Sequence, residues 1–111
     1  MDKIIKNIEH SKPLCVKDQI EYVPGKAVSL PLAQKSGVGM TLFAFDAGAG
    51  ISTHAAPGDA MAHILEGKAE ITIDGKVNEV NAGELIIMPA TIPHAVKALT
   101  KFKMLLTVVK P

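Results

Sequence analysis

The chain has no tryptophan, one tyrosine and three phenylalanines. An interior with so few rings has to be built from Val, Ile, Leu, Ala and the five methionines. There is one cysteine, Cys15, so no disulfide can form within the chain and the fold does not depend on an oxidising compartment. Neither charge is in excess: 12 Lys plus Arg face 11 Asp plus Glu, a formal net charge of +1. That balance leaves no basic stripe for nucleic acid and no polybasic or amphipathic address for a membrane surface. No stretch approaches the roughly 20 apolar residues of a transmembrane helix. The opening Met1-Asp2-Lys3-Ile4-Ile5-Lys6-Asn7 lacks the apolar run of a signal peptide. The expectation is a soluble cytoplasmic protein with neither nucleic acid nor membrane as a partner.

What is present is one domain's worth of globular chain. It has 111 residues, 48% hydrophobic and 21% charged, enough to bury roughly two-thirds of its unfolded surface. Residues 1–24 are the irregular part, with charges scattered among Ile4, Ile5, Ile8, Leu14, Val16 and Ile20. Within them, Val16 to Tyr22 suits a short helix or a strand equally. From Gly25 onward, short β-rich runs alternate with glycine and proline, as an all-β sandwich or barrel reads. The spacing predicts strands over 26–33, 39–45, 61–66, 68–73, 76–80, 84–88, 94–98 and 102–109. Asp74-Gly75 is the strongest hairpin signal, because both central residues of a type I′ turn need positive φ. Gly48-Ala49-Gly50 and Asn81-Ala82-Gly83 mark further corners, and Pro89 and Pro93 bracket a loop.

Period-two alternation supports these strands. Ala69, Ile71 and Ile73 share one face, with Glu70, Thr72 and Asp74 on the other. Two runs break the alternation. Leu85-Ile86-Ile87-Met88 is apolar on both faces, and Phe102, Met104, Leu106 and Val108 are backed by Leu105 and Val109. A small barrel has one interior, so the second face needs a cover, from the N-terminal segment or from another subunit. Left exposed, Ile86, Met88, Leu105 and Val109 would form a patch that a homodimer would bury.

Two stretches carry a family pattern. The first runs from Gly50 through His54 and Leu65-Glu66 to Gly67; the second from Gly83 through Pro89 to His94. Together with Asp74-Gly75 and Ala82-Gly83-Glu84 they resemble the two motifs of the cupin superfamily. The resemblance covers all but about the first two dozen residues and points to a small single-domain cupin. It implies a double-stranded β-helix, or jelly-roll, barrel over 25–111, with 1–24 packing on the barrel or on a partner subunit. It names no function, since that fold hosts dioxygenases, isomerases, decarboxylases, sugar-binding modules and storage proteins.

The resemblance also implies a divalent-metal site of two histidines and a carboxylate from the first motif and one histidine from the second. On that alignment His54 and His94 stand at histidine positions, while Ala56 and Ala60 stand where a histidine and a carboxylate would be. Thr91 replaces a frequent glycine, and Ala98 a frequent asparagine. A zinc, iron, manganese or nickel ion normally takes at least three protein ligands in a catalytic site. Asp59 is a possible third, if the loop is re-routed; in the turn Pro57-Gly58-Asp59 its commoner role is to cap the turn. On an extended strand His63 falls opposite Ala60 and Ala62, hence away from the pocket unless a bulge reverses the parity. His10 lies among solvated residues, Cys15 is a plain thiol, and Met40, Met61, Met88 and Met104 are strand filler.

Alanines at two donor positions remove bulk. Either Met88, Met104, Phe43 or Phe45 collapses into the space, or a cavity remains. A cavity with two histidines suits a small, mostly apolar molecule with one polar or anionic group. The reading is therefore a small-molecule-binding barrel with a weak or absent divalent metal at His54 and His94. The alternative is a metal-dependent isomerase, lyase or dioxygenase using the same two histidines, its metal acting as a Lewis acid. A purely structural or interaction protein is the third class, kept open by the doubly apolar strands.

Overall fold

The computed structural model describes residues 3–111, so Met1 and Asp2 of the N-terminal segment lie outside it. Among the described residues, nine strands follow one short 3-10 turn, Val16–Gln19. They are β1 (Ala27–Lys35), β2 (Val38–Phe45), β3 (Gly50–His54), β4 (Asp59–Glu66), β5 (Lys68–Ile73), β6 (Lys76–Asn81), β7 (Leu85–Met88), β8 (His94–Ala98) and β9 (Phe102–Val109). One antiparallel sheet runs β1-β2-β9-β4-β7 and the other β3-β8-β5-β6. Facing each other, the two sheets make the jelly roll. Asp74 (φ 50) and Gly75 (φ 80) take the two positive-φ positions of the β5–β6 hairpin, as the Asp-Gly pair predicts.

Three local expectations change. β3 is a strand the sequence pattern does not announce, and β4 starts at Asp59 rather than Met61. Val16 to Tyr22 is neither a full helix nor a strand; four residues of it make a 3-10 turn.

The inner faces supply the main core. Phe45, Ile64, Ile71 and Phe102 have no exposed surface, and Met104 almost none. Phe45 and Phe102 are paired across β2 and β9, with rings stacked 4.6 Å apart and 5° from parallel. Beside them, Gly67 (φ 78) crosses so close to Lys101 and Phe102 that a Cβ would collide with backbone. That position therefore has to be glycine twice over, by φ and by space.

A second, smaller core lies outside the barrel. Ile20, Leu32, Leu42 and Ala44 are buried there, with Ile8, Val16, Tyr22 and Leu105 packed on them. The N-terminal segment is thus the cover over β1, β2 and part of β9. The backbone N–H of Lys6 donates to the Leu32 carbonyl (2.7 Å), and the Asn7 amide donates to the Pro31 carbonyl (2.7 Å). Lys103, buried on the outer side, donates from Nζ to the Lys17 carbonyl (2.6 Å) and sits over the Tyr22 ring at 4.9 Å. The Tyr22 hydroxyl donates to the Glu66 carboxylate (2.5 Å). Burial, reinforced by that bond and by the carboxylate's charge, pushes the Tyr22 phenol well above its usual range.

The exposed patch expected of Ile86, Met88, Leu105 and Val109 forms only at Val109. Met88 is buried and Ile86 packs against the barrel core, while Leu105 lies under the N-terminal segment. The outward apolar side chains of β7 are Leu85 and Ile87, 54% and 44% exposed, joined by Val109 at 57%. Ile4 and Ile5, which the sequence offers as covering residues, are themselves exposed. Among the described residues, no helix is long and apolar enough to cross a membrane.

Candidate functional site

His54 ends β3 and His94 begins β8, and the two are direct cross-strand partners. A register shift between Ile51 and His54 bends β3, and the last residue of the strand thereby reaches the pairing position opposite His94. The rings meet edge to face, centroids 4.5 Å apart and planes at 68°. They differ in exposure. His94 is 4% exposed and lies within the barrel, whereas His54 is exposed at its mouth.

Each ring is held the same way. Nδ1 of His54 lies 3.1 Å from the Ser52 carbonyl, and Nδ1 of His94 lies 3.1 Å from the Ile92 carbonyl. A carbonyl only accepts, so Nδ1 carries the hydrogen in both rings. In the neutral rings Nε2 is then the atom with the free lone pair.

Behind the pair is a cavity of about 180 Å³. Besides the two histidines, its walls are Phe43, Ile51, Ala56, Ala60, Met88, Val96, Met104, Leu106 and Val108, all apolar. Of the four large residues that could have closed it, Phe43, Met88 and Met104 line the space instead, while Phe45 is committed to its stack with Phe102. With alanine at positions 56 and 60, room is left between the sheets.

Asp59 is not in this cavity. It sits on β4 opposite in parity to buried Ala60 and Ala62, and its Oδ1 accepts from the Ala90 N–H (2.7 Å). The carboxylate thus ties the start of β4 to the loop after β7, which is the turn-fixing role and not ligation. His63 shares Asp59's face, paired with Leu85 and Leu105, and does not line the cavity. His10 and Cys15 are exposed and remote in the chain from the pair.

The rim joins the loop after His54 to the loop before His94, and the two are bonded to each other. The Thr91 N–H donates to the Ala56 carbonyl at 2.7 Å. Thr91 has φ 67, a conformation a β-branched residue adopts only under strain. This rim is the feature sequence reasoning passes over, and its only signal was Thr91 at a position where glycine is frequent.

The family model of the cupin domain matches residues 41–110. This chain belongs to the cupin family. A structure of a conserved protein of unknown function from Streptococcus pyogenes shares 45% identity with this cupin. It covers 99% of this chain and 96% of its own, at a TM-score of 0.96. A cupin superfamily protein from Desulfitobacterium hafniense shares 31%, covering 96% and 98%, at 0.92. A Cupin 2 conserved barrel domain protein from Leptotrichia buccalis shares 42%, over 85% of this cupin and 46% of that chain, at 0.83. No curated protein matches the chain.

The divalent metal that the family implies does not fit the donors present. Two imidazole rings meet edge to face, Ala56 and Ala60 have no donor atom, and Asp59 is engaged by Ala90 outside the cavity. Among the described residues, no three His, Cys, Asp or Glu side chains cluster. Two protein ligands are fewer than zinc, iron or manganese normally requires.

Proposed function

We propose that this cupin binds a small, mostly apolar molecule in the barrel, with a divalent-metal site that is weak or absent. The observation that carries the reading is the cavity of about 180 Å³ kept open behind His54 and His94. Empty apolar space is destabilising by roughly 24 cal/mol per Å³. A cavity of this size is tolerated best where an occupant fills it. The nine apolar walls provide the binding energy and the two imidazoles orient one polar group.

The competing reading, a metal-dependent enzyme, draws on one specific observation. Holding Nδ1 on a backbone carbonyl is how ligating imidazoles are commonly oriented. A single experiment separates the two. Protein purified without a histidine tag and treated with chelator is titrated with zinc and nickel, alongside the variant carrying Ala56→His and Ala60→Glu. Weak uptake by the parent and a gain on the order of a hundredfold in the variant support the binding module, since even outer-shell partners are worth about 10–100-fold. Tight, stoichiometric metal in the parent supports the enzyme.

We also propose a cytoplasmic homodimer, two-fold symmetric, using the outer face of β7, β4 and β9. Leu85, Ile87 and Val109 are its exposed apolar side chains, and the near-zero net charge offers little repulsion. Ile87→Glu is expected to give monomers by light scattering. A parent protein that is monomeric at micromolar concentration rejects the dimer.

A further inference from the structure

We propose, building on the small-molecule reading, that the occupant of the cavity is a compact neutral molecule bearing one hydroxyl group, about the size of a monocyclic phenol. The polarity of the walls sets the sign of its polar group. Both Nδ1 hydrogens are spent on the Ser52 and Ile92 carbonyls, so the neutral imidazoles offer the cavity two acceptors and no donor. The other nine lining side chains have no N–H or O–H to give.

That excludes anionic, cationic and amide head groups in turn. A carboxylate or phosphate would set lone pairs against lone pairs. No lysine lines the cavity, and the chain contains no arginine at all. An ammonium would be buried without a counter-charge, because no carboxylate lines the space and Asp59 is bonded to Ala90 on the outward face. A primary amide would satisfy the imidazoles but leave its own carbonyl without a donor. A hydroxyl fits: it donates its one hydrogen to Nε2 of buried His94. Its oxygen stays toward the exposed His54 end, where water reaches.

Size narrows the rest. An apolar cavity of about 150 Å³ takes up benzene. At about 180 Å³, this one has room for the ring and the added oxygen. The ring would lie against Phe43, Met88 and Met104, whose flat and polarisable surfaces suit an aromatic face.

The test uses the full, chelator-treated chain at pH 8. Phenol, benzene and benzoate are compared by calorimetric titration. Phenol is expected to bind about tenfold more tightly than benzene, the worth of one buried hydrogen bond, and benzoate not measurably. His94→Leu should remove the advantage of phenol and keep benzene binding. If that variant does not fold, His54→Leu at the exposed mouth should keep most of the advantage, because His94 is the acceptor. Benzoate binding as tightly as phenol, or phenol no tighter than benzene, overturns the hydroxyl proposal while leaving a binding cavity. Failure of all three probes on folded protein overturns the small-molecule reading as well.

Discussion

The two ends of the barrel use alanine in opposite ways. At one end Ala69 and Ala98, cross-strand partners on β5 and β8, are buried in the core cluster that holds the stacked rings of Phe45 and Phe102. There a small side chain makes room for a large one, and the interior is full. At the other end Ala56 and Ala60 line open space between the sheets, with His54 and His94 above it. Nothing large has moved in. The same residue type marks dense packing in one place and a vacancy in the other, and only the neighbours across the sheet decide which.

Substitutions that invert the packing should separate the ends. Phe102→Ala at the filled end is expected to cost about 3–5 kcal/mol in urea denaturation, since the stack and its surroundings cannot close over the hole. Next in size is a matched pair of insertions. Ala69→Leu should cost about 1–3 kcal/mol by forcing strain into a full core. Ala60→Leu should cost far less, because its side chain enters existing space, and should abolish uptake of any ring-sized probe. Equal costs for the two would mean that the ends are packed alike.

The smallest effect concerns the strap that joins the N-terminal segment to the filled end. Folding raises the Tyr22 phenol above its unfolded value near 10, through burial and then through the bond to Glu66. Folding therefore favours the protonated form. Its contribution is complete below about pH 10 and is lost as the pH rises beyond that. Above about pH 10 the urea midpoint of the parent should fall more steeply than that of Tyr22→Phe.

Much of this was readable in advance, for physical reasons that differ by element. β5 alternates strictly and ends in Asp74-Gly75, so local chemistry specifies both its phase and its turn. β3 has only Ile51 to show, and most of its residues are exposed; pairing with β8 makes it a strand. Leu85-Ile86-Ile87-Met88 has no phase of its own. Pairing of Ala60 with Met88 and of Met61 with Ile87 turns Ile86 and Met88 inward. At the site, motif spacing brought His54 and His94 together correctly. The role of Asp59 depended on Ala90, 31 residues away in the chain, which no local pattern carries.

The position of β9 has a consequence for how this cupin is made. It is the last strand in sequence, yet it lies between β2 and β4 at the centre of its sheet. A chain emerging from the ribosome N-terminus first therefore cannot zip that sheet in order. Until Phe102–Val109 has emerged, β2 and β4 each present an unpaired apolar edge, and Phe45 waits without its stacking partner. The interval before the final strand inserts is when the nascent protein is most open to pairing with the wrong chain.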